Sequence, residues 1–256
     1  MKRLIKQFLI FLQIDWIDTV RLNLFCLPFR QGRKFPILLF KAKLHIANRV
    51  GGVKLCVSDD NVKFGMIKLG INYAKNVFVS TGIQIDLSSS GGLIFYGSGI
   101  MGNGSNIITR HNGTIEFGRN FRISGNFSCC SFEHISIGSN LSCSWGVSIY
   151  DTDFHETIIP DTGNTNTMSQ AVIIGNNCWL CQKCTLLKGT NIPDWATVGA
   201  LAMVNRDFSE MPHYVVLAGI PAKAVAKKLK RTDLAVIAQS YNWNVTGGLS
   251  LLNPLP

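Results

Sequence analysis

Apolar side chains recur at every sixth position in the second half of the chain. The aliphatic members of this repeat are Ile174, Leu180, Leu186, Ile192, Val198 and Val204. A small or slim residue lies two positions before each of them: Val172, Cys178, Cys184, Thr190, Ala196 and Ala202. A helix would scatter a period of six around its surface, and a single straight strand over this stretch would be far too long. The pattern therefore predicts a coil with three flat sides and one hexapeptide per side, whose turns stack about 4.8 Å apart.

The spacing continues toward the N-terminus before it weakens. Apolar residues two positions apart recur as Ile115/Phe117, Phe121/Ile123, Ile135/Ile137, Leu141/Cys143 and Val147/Ile149. Before residue 93 the phase decays, although pairs such as Val77/Val79 and Ile83/Ile85 keep the same spacing. We expect irregular coils over residues 50–110 and regular coils over 111–207.

The repeat divides the chain into three segments. Residues 51–207 are predicted to form the coil, and the polar, turn-rich stretch 150–171 within it should leave the coil as a loop. Residues 1–50 are predicted to be a helical or irregular N-terminal segment, in which 2–25 have the spacing of an amphipathic helix. Residues 208–256 are predicted to be a C-terminal segment.

A helix is predicted within this C-terminal segment. Four apolar residues follow Pro221 at helical spacing: Ala222, Val225, Ala226 and Leu229. Four lysines fall largely outside that face: Lys223, Lys227, Lys228 and Lys230. They are expected to be solvated.

The composition fits a folded, β-rich chain. It is 46% hydrophobic and 16% charged, with 24 Gly and 8 Pro, which excludes disordered and collagen-like classes. The 25 Lys and Arg exceed the 15 Asp and Glu, giving a net charge of +10 that favours anionic partners. Nucleic-acid binding has only this charge in its favour, so we expect none.

The eight cysteines are expected to be reduced, in a cytoplasmic protein. The longest apolar run of the basic N-terminus, Phe8–Leu12, is too short for a signal sequence or a membrane span. Cys178, Cys181 and Cys184 are spaced closely enough to suggest zinc, but a tetrahedral site needs a fourth ligand and none lies nearby. We expect no metal, with Cys178 and Cys184 at interior corners of the coil.

The repeat and the motifs that close it resemble a known family. The stretches Ile174–Trp179, Val198–Ala200 and Ala218–Lys223 are similar to the C-terminal signature of the hexapeptide-repeat acyltransferases. This resemblance implies an all-β fold, a left-handed parallel β-helix of hexapeptide repeats. Within the family the sequence is most similar to sugar O-acetyltransferases, including galactoside and maltose acetyltransferases and those of capsule and O-antigen clusters.

His155 is the candidate catalytic residue. It lies in the predicted loop beside three carboxylates, Asp151, Asp153 and Glu156, any of which could orient the imidazole. The arrangement Asp-x-Asp-x-x-His also resembles the catalytic histidine segment of the family. A neutral imidazole can accept the proton of a sugar hydroxyl as its oxygen attacks a thioester, so direct transfer needs no serine or cysteine nucleophile.

The resemblance implies further site residues. Asn126 and Asp153 correspond to acceptor-binding positions. The coenzyme A groove would be lined by Trp179, Gln182, Ala200, Asn205 and Arg206, with Lys223 near the phosphates. The chain departs from the galactoside and maltose enzymes at two of these places. Asn205-Arg206 replaces Thr-Lys, which keeps the charge but changes its geometry, and Gln182 replaces a small residue.

These features predict an acetyltransferase that uses acetyl-CoA and a sugar or glycan acceptor of a surface polysaccharide. The resemblance implies a homotrimer whose active sites lie at the subunit clefts. The amphipathic, basic N-terminus would either pack against the first coil or lie on the anionic inner face of a membrane. Two alternatives remain: a non-catalytic β-helix scaffold for polysaccharide assembly, and an acyltransferase for an amino acid or another non-sugar acceptor. A γ-type carbonic anhydrase is disfavoured because no two histidines are close in sequence.

Overall fold

The structure is a computed structural model that describes residues 8–46, 52–72, 81–87, 90–225 and 228–229. Most of these residues form a three-sided parallel β-helix. The chain passes from face one to face two to face three in every turn, so each face is a parallel sheet built from successive turns. The predicted fold class, an all-β parallel β-helix of hexapeptide repeats, is confirmed, and its left hand stays what the family resemblance implies.

The strands of the three faces run in the same order as the turns, except where the chain ends. Face one contains β1 (Ile37–Leu39), β4 (Ile67–Ile71), β7 (Gly99–Gly102), β10 (Phe121–Ile123), β13 (Ser142–Cys143), β18 (Trp179–Leu180), β21 (Thr197–Val198), β23 (Val216–Gly219) and β24 (Ala222–Val225). Face two contains β2 (Lys43–Ile46), β5 (Gln84–Leu87), β8 (Asn106–Thr109), β11 (Ser128–Ser131), β14 (Ser148–Tyr150), β19 (Thr185–Leu186) and β22 (Met203–Val204). Face three contains β3 (Val53–Leu55), β6 (Gly92–Phe95), β9 (Thr114–Phe117), β12 (His134–Ile137), β17 (Val172–Ile174) and β20 (Asn191–Ile192). A separate hairpin pairs β15 (Thr157–Ile158) with β16 (Thr165–Asn166).

The predicted repeat fills the interior of the coil. The six aliphatic residues and the six small residues that precede them are all buried, at 2% exposure or less. Outward residues such as Trp179 and Thr185 alternate with them and are partly exposed. The hexapeptide phase read from the sequence is therefore confirmed, including the interior corner positions of Cys178 and Cys184.

The turns shorten along the chain, which explains why the repeat weakens upstream. Gln84 pairs with Asn106 one turn later, whereas Thr185 pairs with Met203, so the early turn is the longer of the two. A side of the early turns therefore contains seven or eight residues instead of six. The wider interior is filled by larger side chains, since Phe95, Phe117 and Phe121 pack together with ring centroids 4.9–5.9 Å apart.

The corner that joins face three to face one repeats from turn to turn, and we call it the ladder corner. Asn120, Asn140 and Asn177 each adopt a left-handed conformation there, with φ of 59°. The Asn120 amide donates to Asn140 and the Asn140 amide donates to Asn177, at 3.2 and 3.0 Å. The glycine two positions before Asn140 is required because a Cβ at Gly138 would lie 2.5 Å from the backbone of the next turn.

Two helices cover the first turn. They are α1 (Trp16–Cys26) and α2 (Phe29–Gly32), and a short 3-10 helix follows at Asp59–Asn61. Leu22 of α1 joins the main core, while the Asn23 side chain bonds both the N–H and the C=O of Ile37 on the free edge of β1. The helix thus satisfies an edge strand that would otherwise be open to another chain.

The N-terminal segment differs from its prediction in two ways. A single helix over 2–25 is wrong within the described residues, because the Asp15 side chain accepts from the Asp18 N–H and starts a new helix. Residues 1–7 lie outside the described residues. The coil also begins before residue 51, since β1 and β2 already pair with later turns. The apolar runs of β1 and β2 are so short that their periodicity does not distinguish a strand from a helix.

The predicted helix after Pro221 is wrong where the structure describes it. Residues Ala222–Val225 form β24, which pairs antiparallel with β23 and closes the last edge of face one. Ala222 is buried, and Leu229 is not helical. Residues 226–227 and 230–256 lie outside the described residues. In the part of the chain that the structure describes, no helix combines the length and apolarity that a bilayer span requires.

Candidate active site

The predicted loop leaves the coil where face two meets face three, and we call this the loop corner. The chain departs after β14 and returns at β17, with the hairpin β15–β16 between them. The loop at 150–171 is therefore present as predicted. Backbone hydrogen bonds join the two arms of the loop at its start. The Asp153 N–H donates to the Met168 C=O and the Gln170 N–H donates to the Asp151 C=O, both at 2.9 Å.

Asp151 fixes the base of the loop. Its side chain is fully buried and accepts three hydrogen bonds, from the Ser131 hydroxyl at 2.7 Å and from the N–H groups of Phe132 and Glu133 at 2.8 and 2.9 Å. These donors belong to the same corner of the preceding turn. A buried carboxylate with three donors is well satisfied, so Asp151 ties the departing chain to the turn below it.

The residue before His155 is held in an unusual conformation. Phe154 has φ of 65°, a left-handed value that is costly for a bulky side chain. Its N–H donates to the Thr152 hydroxyl at 3.0 Å, and its ring packs edge-on against Phe132 and Tyr150. These contacts maintain the turn and direct the chain at His155 away from the coil.

A lysine from the following turn connects both arms of the loop. Lys188 Nζ lies 2.6 Å from the Asp153 carboxylate and also donates to the Thr167 carbonyl. The Asp153 side chain is 41% exposed. Asp153 therefore has a cationic partner at the loop corner, and its predicted role in acceptor binding stays a prediction.

His155 is exposed to solvent next to the point where the loop leaves the coil. Among the described residues, no carboxylate contacts its imidazole, since Asp151 is engaged by the turn and Asp153 by Lys188. The structure thus leaves the imidazole accessible to a substrate without assigning it an orienting carboxylate from the same chain.

Three other predicted residues lie at the corner between faces one and two, which we call the first corner. Asn126 is exposed there with φ of 49°, and Gln182 and Ala200 are exposed two and three turns further on. Stacked backbone bonds mark the shared corner, such as Leu201 N–H to Gln182 C=O at 3.0 Å. Lys183 lies over the Trp145 ring, 4.8 Å from its centroid, and adds a cation to this corner.

The remaining predicted cofactor residues lie on the last turns. Asn205 and Arg206 are exposed at the loop corner, and Arg206 Nη2 donates to the Ala222 carbonyl at 3.1 Å. Trp179 is partly exposed on face one, and Lys223 is exposed on β24 of the same face. Arg206 and Lys223 therefore lie near one another at the C-terminal end of the coil, where Arg206 contacts the residue next to Lys223.

The predicted site residues are thus divided between two corners and face one of the same chain. His155 and Asp153 project from the loop corner, whereas Asn126, Gln182 and Ala200 line the first corner. Face two separates the corners by roughly 20 Å, since one hexapeptide rises about 3.3 Å per residue. One copy of the chain does not bring the two groups together.

Sequence reasoning misses several residues that shape the site. It identifies Asp151 only as a neighbour of His155, because the bond to Ser131 joins positions 20 residues apart that only the stacking of turns brings together. Lys188 and the Trp145–Lys183 pair give no local signal for the same reason. The φ of Phe154 is also invisible, since no glycine or asparagine marks that position.

The cysteines near the site belong to the core. Burial raises the pKa of the Cys178 and Cys184 thiols to about 12 in both cases, which disfavours the thiolate that a nucleophile or a metal ligand requires. In the described residues, no group of three or more His, Cys, Asp or Glu side chains is placed to hold a metal ion.

Comparisons with known proteins relate the chain to acetyltransferases. No family model matches it. It is 30% identical over 132 residues to WbbJ of Escherichia coli K12, named as a lipopolysaccharide biosynthesis O-acetyl transferase, covering 48% of this chain and 65% of that protein. It is 27% identical over 71 residues to a chloramphenicol acetyltransferase of Morganella morganii, covering 28% of this chain and 32% of that protein. A solved structure of galactoside acetyltransferase in complex with coenzyme A matches with 20% identity and a TM-score of 0.36, covering 62% of this chain and 64% of the other. The chain spans less than two thirds of the length of each of these proteins.

Proposed function

We propose that this chain is a hexapeptide-repeat acyltransferase that transfers an acetyl group from acetyl-CoA to a sugar hydroxyl of a surface polysaccharide such as a capsule or O-antigen. The observation that carries the proposal is the loop corner. There the regular coil is interrupted to present an exposed imidazole on a base anchored by buried Asp151. The name of WbbJ supports a polysaccharide acceptor.

His155 acts as the general base. Its neutral imidazole removes the proton of the acceptor hydroxyl while the hydroxyl oxygen attacks the thioester carbonyl, a contribution of about 10²–10⁴-fold. A backbone N–H at a corner stabilises the oxyanion of the tetrahedral intermediate. The intermediate then expels the thiolate of coenzyme A, and the imidazolium returns the proton to it. The acetyl group passes directly to the sugar, without an acyl-enzyme.

The last turns carry cations suited to the phosphates of acetyl-CoA. Lys183, Arg206 and Lys223 are all exposed there. Stacked strands along the first corner offer a long surface for the pantetheine arm, ending near exposed Leu201. These residues suit a phosphorylated donor with an extended, partly apolar arm, which supports acetyl-CoA as the donor.

The active site is shared between copies of the chain in a homotrimer. The separation of His155 from Asn126, Gln182 and Ala200 by the width of face two supports this arrangement, because a neighbour can place its loop corner beside the first corner. The loop tip also exposes Ile158 at 67% and Ile159 at 47%, which suits burial against another copy.

The test of catalysis is the purified full chain with acetyl-CoA and a deacetylated surface glycan, followed by coenzyme A release and mass spectrometry of the product. We expect His155→Ala to lose at least about 100-fold in kcat with an unchanged circular dichroism spectrum. Transfer at the wild-type rate by a folded His155→Ala variant would remove the imidazole from the mechanism. Absence of transfer to every glycan, with activity on chloramphenicol instead, would favour a non-sugar acceptor.

The shared site has its own test. His155→Ala chains are mixed and refolded with Gln182→Ala/Ala200→Trp chains, whose first corner is altered while their loop corner is intact. If one cleft combines two chains, mixed oligomers contain clefts with both halves intact and recover activity. A monomeric mass by light scattering, or inactive mixtures shown to contain both chains, would refute a site built from two copies.

A further inference from the structure

The positive charge of the chain is concentrated at one end of the coil. Residues 1–54 contain 11 Lys and Arg against 2 Asp and no Glu, so they carry +9 of the net +10. The rest of the chain contains 14 Lys and Arg against 13 Asp and Glu and is close to neutral. The part of this segment that the structure describes forms the two helices and the first strands of the coil.

The helix that covers the first turn is apolar on both sides. Its inner side, with Leu22 and Cys26, is buried against the core. Its outer side presents Ile17, Arg21 and Phe25, which follow one another at intervals of four residues and therefore form one stripe. Ile17 is 76% and Phe25 55% exposed, so the stripe places large apolar side chains in contact with solvent.

Other large apolar side chains close to this stripe in sequence are also exposed. Residues of the same kind before and after it are Phe8, Leu9, Phe11, Leu12 and Phe29, each 39–71% exposed. Two arginines of the α2 turn, Arg30 and Arg33, are also exposed and form no ion pair with any residue that the structure describes. Large exposed apolar side chains among unpaired cations are typical of a surface that contacts a membrane.

We propose that this outer surface of α1 and α2, with the preceding turn at Phe8–Leu12, docks onto an anionic lipid bilayer such as the cytoplasmic leaflet of a membrane. The phenyl and aliphatic side chains enter the headgroup region, and the arginines bind the anionic headgroups. The charge is what selects lipid over a protein partner, since residues 1–54 contain eleven cations against two carboxylates. Of the arginines on the described surface, Arg21 is ion-paired with Asp18, and Arg30 and Arg33 are left for anionic headgroups. Membrane docking does not depend on the proposed acetyl transfer.

Docking would also orient the site. The strand β14, from which the loop departs, is the fifth strand of face two counted from β2. Four strand spacings of about 4.8 Å place the loop corner about 20 Å along the coil from the first turn. With the helices on the bilayer, His155 would face a glycan held above the surface at that height.

Vesicle flotation of the full chain tests the proposal, with phosphatidylcholine vesicles that contain or lack phosphatidylglycerol. We expect binding to the anionic vesicles alone, and its loss at high salt. Replacing Ile17→Ser and Phe25→Ser together should weaken the partition coefficient more than about tenfold. Arg30→Gln and Arg33→Gln should each weaken it about fivefold.

A matched control exchanges equally exposed apolar residues at the other end of the coil, Leu201→Ser with Ile220→Ser, which are 62% and 70% exposed. This variant should float with the vesicles as the wild type does. Equal binding by the Ile17/Phe25 variant, binding without anionic lipid, or no binding at all would overturn the proposal. Self-association that the same exchange abolishes, without vesicle binding, would assign the surface to a second copy of the chain.

Discussion

The ladder corner and the loop corner both border face three, but they are built on different principles. At the ladder corner three consecutive turns repeat an asparagine with the same backbone conformation, and the amides bond to one another. At the loop corner no two turns are alike: a buried carboxylate, a strained phenylalanine and a lysine each appear once. The comparison shows that repetition supplies the rigid frame, and that the chemistry is placed where repetition is interrupted.

The largest expected effect comes from breaking the frame that both corners share. Leu186→Asp would bury a charge in the coil interior, where Leu186 is fully buried in the hydrophobic core cluster. We expect a loss of more than about 4 kcal/mol in the free energy of unfolding, enough to prevent folding. Expression and thermal melting give the measurement, with Leu186→Met as the conservative control. A soluble Asp variant that melts cooperatively would show that the repeat has been assigned the wrong phase.

The next largest effect is expected from Asp151→Ala at the loop corner. It leaves the Ser131 hydroxyl and two backbone N–H groups without their acceptor, which should cost about 3 kcal/mol. Because these bonds also fix the base of the His155 loop, activity should fall further than the lost stability explains. Urea denaturation and kcat, both measured well below the melting temperature, separate the two effects. Wild-type kcat in a destabilised variant would limit Asp151 to a structural role.

A smaller effect is expected at the ladder corner. Asn140→Ala removes two side-chain hydrogen bonds and places alanine in a left-handed conformation, at a cost of about 1–2 kcal/mol. Asn140→Gly removes the same bonds but tolerates the conformation, so it should recover part of the loss. Both variants should retain wild-type kcat at a temperature where they are folded. A fall in kcat in either one would mean that the two corners are coupled.

The smallest effect on stability is expected from Lys188→Met. The pair with Asp153 is partly exposed, so its removal should change the free energy of unfolding by less than about 1 kcal/mol. The two arms of the loop would nevertheless lose their common partner on the following turn. Amide hydrogen exchange should therefore accelerate in residues 153–168 and stay unchanged at the ladder corner. Unchanged exchange in the loop would show that the backbone hydrogen bonds at its start are enough to order it.

How much of the structure the sequence predicts depends on whether the residues that contact one another are also close in sequence. The inward positions from Ile174 to Val204 follow one period and can be assigned directly. The early turns cannot be assigned as well, because sides of seven or eight residues shift the phase from one strand to the next. The stretch after Pro221 has helical spacing, since Ala222 and Val225 would share a face of a helix. It forms a strand instead, because the edge of β23 offers backbone hydrogen-bonding partners.

The candidate site shows the same limit. His155 and its loop can be found from a local break in the repeat and from the resemblance to a family. The partners of Asp151 and Lys188 lie about one turn away along the chain, and only the stacking of turns brings them together. The sequence also offers three carboxylates to orient His155, and the structure engages two of them elsewhere.

The unequal turns have a consequence for how the chain finds its alignment. In a coil made of identical turns, the register of one turn on the next could shift by a whole turn and most strand pairings would still form. Here a long early turn cannot replace a short late one, because the Phe-filled interior of the first does not fit the narrow interior of the second. The decrease in turn length therefore allows each turn only one position in the stack. The order of the turns in the sequence thus helps to specify the fold.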